Sequence, residues 1–101
     1  MASRLTLQTL LEELLGTRNV YYQPPENLKM SYPAIRYTKS KIEGEHANDK
    51  RYKNMTRYEI IVIDRNPDNS VIDRLLELPY CSFDRHYKSD NLNHDVLTLY
   101  Y

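Results

Sequence analysis

Residues 58 to 71 read Tyr-Glu-Ile-Ile-Val-Ile-Asp-Arg-Asn-Pro-Asp-Asn-Ser-Val, and this stretch decides the fold. Ile60-Ile61-Val62-Ile63 is apolar at every position, so neither face of a strand there tolerates water. The run from Met55 to Asp64 therefore predicts a central strand covered by helices or by a neighbouring element. Arg65 to Ser70 then concentrates turn-forming residues, and Asp68, Asn69 or Ser70 can each accept the first free amides of a helix. Val71, Ile72, Leu75, Leu76 and Leu78 supply the apolar stripe of that helix, and Pro79 ends it.

Upstream, Leu7, Leu10, Leu11, Leu14 and Leu15 recur at three-and-four spacing. This predicts an amphipathic helix over about residues 4 to 15, with Ser3 or Thr6 as its cap and Gly16 as its left-handed end. Val20-Tyr21-Tyr22 reads as a short edge strand stopped by Pro24-Pro25. Tyr32 to Lys39 alternates as a half-buried strand, and the polar stretch at about 39 to 54 reads as an exposed charged hairpin loop. Downstream of the central strand, Cys81, Phe83, Arg85 and Tyr87 alternate with Ser82, Asp84, His86 and Lys88. Ser89 to Asn93 reads as a turn and Val96 to Tyr101 as the last strand, with Leu97, Leu99 and Tyr101 inward and Tyr100 opposite.

The order α-β-β-β-α-β-β with hairpin connections predicts an α+β protein. A largely antiparallel β-sheet carries two helices packed on one face, in one domain over residues 1 to 101. A chain of 101 residues can bury one modest core. No segment is apolar enough to span a bilayer, and the N-terminus leads into a helix pattern rather than a signal peptide, so a cytoplasmic product is expected. A single cysteine, Cys81, excludes an intrachain disulfide.

The formal net charge is zero, against the strong phosphate binding of a basic domain, but the charge is unevenly distributed. Arg36, Lys39, Lys41, Lys50, Arg51, Lys53 and Arg57 face only Glu43, Glu45 and Asp49 between residues 36 and 57; from residue 58 onward acids predominate. Such a subunit is suited to head-to-tail contact with its own copies. Ten tyrosines against one phenylalanine and no tryptophan fit either strand propensity or interfaces, with the C-terminal pair assigned to an interface.

Phosphate-binding glycine loops, dinucleotide fingerprints and paired cysteine motifs are absent from the sequence. His86 and His94 flank a turn and, with Asp84, Asp90 or Asp95, sketch a zinc site, but histidines hydrogen-bonded across strands explain them more simply. Cys81 with either histidine sketches a thiol nucleophile, yet its place beside Phe83 reads as a small apolar residue. Asp64, Asp68 and Asp73 read as acids of a helix start. No catalytic residue, metal or cofactor is expected. The basic patch Lys50-Arg51-Tyr52-Lys53 leaves a small nucleic-acid-binding protein as a distant alternative.

Three segments, Tyr58 to Asp68, Leu76 to Tyr87 and Asp90 to Tyr101, together with Tyr32-Pro33-Ala34-Ile35-Arg36-Tyr37, resemble small tail completion (tail terminator) proteins of siphophages and prophages. The resemblance spans roughly two thirds of the chain and names no catalytic residue. It implies a tail-terminator-like α+β subunit that forms a homo-oligomeric ring, commonly a hexamer, on the head-proximal end of the tail tube. That ring stops tube polymerisation and joins the head connector. The implied partners are further copies of itself, the tail tube protein and head completion or connector proteins, without membrane or specific nucleic acid, although DNA passes such a lumen. The implied location is the virion's tail-to-head junction, after assembly in the host cytoplasm. A head completion or neck connector ring is the nearest alternative. Within this reading Lys39, Lys41, Lys50, Arg51, Tyr52 and Lys53 form the loop that touches tube or connector, and Arg57, Arg85, Tyr87 and Tyr100 a subunit interface.

Overall fold

The computed structural model describes residues 4–24, 29–42 and 55–101, the side chains of 41 and 42 excepted. Helix α1 spans Arg4–Leu15, with Leu7 and Leu11 fully buried and Leu10, Leu14 and Leu15 packed beside them. It stops at Gly16, whose φ of +85° suits a residue without Cβ and whose N–H donates to the Glu12 carbonyl at 2.9 Å.

The remaining elements are β1 (Val20–Tyr22), β2 (Ala34–Ile42), β3 (Thr56–Asp64), α2 (Val71–Leu76), β4 (Cys81–Ser89) and β5 (Leu92–Tyr100). The strands form one five-stranded sheet in the order β1-β2-β3-β5-β4. The β1–β2 pair is parallel and the other three pairs are antiparallel, so the sheet is mixed. The expected α+β class and order α-β-β-β-α-β-β hold, with both helices on one face.

The apolar run Ile60–Ile63 is covered twice, by different means. On the helix side Ile60 and Val62 join Ile35, Tyr37, Leu97 and Leu99 beneath Leu7, Leu11, Val71 and Leu75. On the opposite face Ile61 and Ile63 pack with Val96 under Met30, Tyr32 and Leu92. Burying each such aliphatic side chain contributes about 1.5–3 kcal/mol, which makes β3 the anchor of the sheet. A polar web adds to the helix side, where the Tyr37 hydroxyl donates to Gln8 Oε1 and accepts from Arg4.

Of the three capping candidates before α2, Asn69 acts. Its Oδ1 accepts the Val71 N–H at 2.8 Å, and its Nδ2 donates to Asp64 Oδ2 at 2.6 Å, tying the end of β3 to the helix start. Ser70 occupies the N-cap position without a side-chain bond.

Several boundaries differ from the sequence reading. Strand β2 starts at Ala34 rather than Tyr32 and continues to Ile42, so residues 39 to 42 of the expected loop are strand; residues 43 to 54 lie outside the described residues. Strand β5 begins at Leu92, because Asp90 and Asn91, with φ of +53° and +63°, close a two-residue hairpin between Ser89 and Leu92. Leu76 does not belong to the buried stripe of α2: Val71 and Leu75, four residues apart, face the core, whereas Leu76 is turned away and exposed.

Candidate functional site

Strand β4 is the feature that stands apart. Its inner edge is bonded to β5, and no other strand of the described chain flanks its outer edge. Cys81 is half-buried and every residue from Ser82 to Ser89 is exposed. Of the five large hydrophobic residues exposed among the described residues, Phe83 at 47 % and Tyr87 at 37 % lie on β4, Leu76 and Tyr80 precede it along the chain, and Leu5 lies on α1. Tyr80 turns the chain into the strand at a φ of +62°, and its carbonyl accepts the Tyr100 N–H.

A long edge with free backbone groups and apolar side chains is a template for another chain. It is blunted by the exposed charges of Asp84, Arg85 and Lys88 and by a register shift between Phe83 and Arg85. Phe83 lies opposite Leu97 and Arg85 opposite Val96, so Asp84 is an additional residue that bulges out. The shift corrects the alternation expected from sequence. Cys81 and Phe83 share the helix side of the sheet, but Arg85 and Tyr87 are carried to the helix-free side, because one inserted residue reverses every position after it. Asp84 and Arg85 meet as a solvent-exposed ion pair at 2.8 Å.

The same register separates the two histidines. His86 lies opposite Asp95 and bonds it, Nδ1 to Oδ1, at 2.6 Å; His94 lies opposite Tyr87 and stacks on its ring at 4.7 Å between centroids. Being on opposite faces, they do not share a ligand. Among the described residues no group of three or more His, Cys, Asp or Glu side chains is placed to hold a metal ion. Burial pushes the Cys81 thiol up to about 11, and the side chain packs against the helix-side core.

The four residues assigned from sequence to a subunit interface share one face of the sheet, spread along its length. Arg57 lies opposite Tyr100, and Arg85 and Tyr87 follow on the edge strand, all on the helix-free side. Arg57 and Tyr100 are half-buried, whereas Arg85 and Tyr87 are exposed. Tyr101 packs against the core with Leu97 and Leu99, as their inward reading expects, so of the C-terminal pair Tyr100 alone stays on the interface face. Of the expected contact loop, Lys39 is an exposed residue of β2; the side chain of Lys41 and residues Lys50, Arg51, Tyr52 and Lys53 lie outside the described residues. Leu76, Tyr80 and Phe83 were not singled out as surface residues from sequence. The available signal was their crowding around Pro79, in a segment with too few apolar residues to be buried on two faces.

No helix among the described residues is long and apolar enough to cross a membrane. Neither a protein-family model, nor a curated protein, nor a solved structure matches the chain.

Proposed function

We propose that this protein is a structural, self-associating subunit that acts by assembly rather than by catalysis, and that its working form is a ring completing the head-proximal end of a phage tail. The observation that carries self-association is the open β4 edge, where the exposed Phe83 and Tyr87 lie along a strand side that no described strand pairs. The tail assignment rests on the resemblance of residues 32–37, 58–68, 76–87 and 90–101 to tail completion proteins.

The mechanism in this reading is geometric. Contacts between unlike patches of neighbouring copies close into a ring when the rotation between them completes a turn. The basic stretch between Arg36 and Arg57 and the acid-rich remainder provide such unlike patches. One ring face ends the tube by offering no site for a further tube subunit; the other meets the connector. The test is electron microscopy of tail-tube subunits polymerised with and without the protein. Tubes of limited length ending in a ring are expected. Tubes that lengthen freely and carry no ring at either end would sink the proposal.

A further inference from the structure

We infer that copies of this protein bind one another head to tail: the groove along the outer side of α1 in one copy takes the Arg57 and Tyr100 end of the helix-free sheet face of the next, where Arg57 pairs with Glu13. The contact presupposes a self-associating subunit but not the tail assignment, and it leaves the β4 edge open for a second contact.

Helix α1 carries an outward stripe as well as a buried one. Leu5, Thr9 and Glu13 recur every fourth residue, so they stand in line along the helix, and all three are exposed. Leu5, at 66 %, is the most exposed large hydrophobic residue among those described. Beside this stripe runs an open groove of about 560 Å³, lined by Leu5, Thr6, Thr9, Leu10, Glu13 and Tyr101. Glu13 is the one charged residue of that lining, and it forms no ion pair among the described residues. Arg4, at the start of the helix, is committed elsewhere, since its guanidinium lies over the Tyr22 ring and donates to the Tyr37 hydroxyl.

The second patch lies directly behind the groove. Tyr101, in the groove wall, exchanges backbone hydrogen bonds with Thr56 at 3.0 and 3.1 Å. The neighbouring residues Arg57 and Tyr100 oppose each other and point to the helix-free side, because successive strand residues alternate between faces. Met30, Tyr32 and Leu92 cover the part of that face around Ile61, Ile63 and Val96. Arg57 and Tyr100 are at the other end, half-buried, and Arg57 forms no ion pair among the described residues.

This back-to-back placement sets the geometry of association. Copies stacked in the same sense bring the Arg57 and Tyr100 end of one sheet over the groove of the next copy. The Tyr100 ring then meets the apolar rim of Leu5, Leu10 and Tyr101, and the Arg57 guanidinium meets the Glu13 carboxylate in a charge-assisted contact. The helix of one copy thereby adds a layer to the sheet face that the other copy's own helices leave open. Groove against groove would oppose two carboxylates, and sheet face against sheet face two guanidinium groups, so charge selects the unlike pairing. A copy bound through its groove keeps its sheet face for a third copy, and such a contact closes into a ring when its rotation completes a turn.

Sedimentation velocity of the full chain is expected to show oligomers. Glu13→Arg, which sets a guanidinium against Arg57, should raise the dissociation constant roughly tenfold or more, and Arg57→Glu should do the same with two carboxylates. The double variant Glu13→Arg/Arg57→Glu restores opposite charges at every contact and should assemble as wild type does. Circular-dichroism melts of Glu13→Arg should match wild type, because the position is exposed. Where Arg57→Glu fails to fold, Leu5→Arg at another exposed helix position takes its place and should also weaken assembly. Unchanged sedimentation of both Glu13→Arg and Leu5→Arg would overturn the inference. So would two weakened single variants without recovery in the double variant. Oligomers that Phe83→Ser disperses but these exchanges do not would overturn it while leaving association to the β4 edge. A wild-type monomer at high concentration would remove both this contact and the self-associating subunit.

Discussion

Strands β3 and β4 are both nine residues long and both pair antiparallel with β5, one on each of its sides. Their environments are opposite. In β3 every residue from Ile60 to Ile63 is buried; in β4 none is. The backbone of β3 is bonded on both edges and its faces are covered by helices and by Met30 and Tyr32, so its side chains contribute stability. The backbone of β4 is bonded on one edge, and its side chains remain available to something outside the chain. Equal length and equal pairing partner thus do not make equal roles; position in the sheet order does.

The comparison breaks most visibly at the core. Ile60→Ala should cost about 2–5 kcal/mol in denaturant unfolding, because a fully buried aliphatic side chain leaves a cavity. A loss well under 1 kcal/mol would mean that β3 is not the anchor. At the start of β4, Cys81 is the one residue drawn into the core. With its thiol pushed up to about 11, it should react with iodoacetamide on the order of a hundredfold more slowly at neutral pH in the folded than in the unfolded protein. Comparable rates would show that the edge strand lifts off as a whole.

Tyr37→Phe should cost about 1 kcal/mol, since the hydroxyl bonded to Gln8 and Arg4 is lost from a buried site. Burial raises Tyr37 and Tyr58 above the ordinary value of 10.0, so the folded state holds their protons more tightly than the unfolded state does. Their contribution is fully present below pH 10 and is lost as pH rises through the higher folded values. Alkaline unfolding followed by tyrosinate absorbance should therefore begin above pH 10, with a shallower pH dependence in the Tyr37→Phe variant. An unchanged pH dependence would show that Tyr37 does not set it. Smallest of all, Phe83→Ser should alter monomer stability by no more than about 0.5 kcal/mol while weakening self-association, because the ring is nearly half exposed. A destabilisation approaching that of Ile60→Ala would erase the distinction between the strands.

Helix α1, the central strand and the start of α2 were legible because their signals are local: leucine spacing, an unbroken apolar run, and a cluster of capping residues. The place of β4 in the sheet was not. Its text, with Cys81, Phe83 and Tyr87 among charged residues, suits a half-buried strand equally well, and only the order β1-β2-β3-β5-β4 leaves it at the rim. The face carrying Arg85 and Tyr87 was misread because the extra residue Asp84 reverses the alternation, and a bulge is specified by the partner strand as much as by its own sequence. That Arg57, Tyr100, Arg85 and Tyr87 share one face depends on that same register.

By itself, the sequence determined the elements, the α+β class and the identity of the buried strand, since short-range periodicity and capping chemistry act within a few residues of each other. Which strand became the open edge, which way its side chains turned after the bulge, and that β1 runs parallel to β2 were decided only in three dimensions. Those outcomes depend on hydrogen bonds and packing between residues distant along the chain, where no local preference favours one pairing over another.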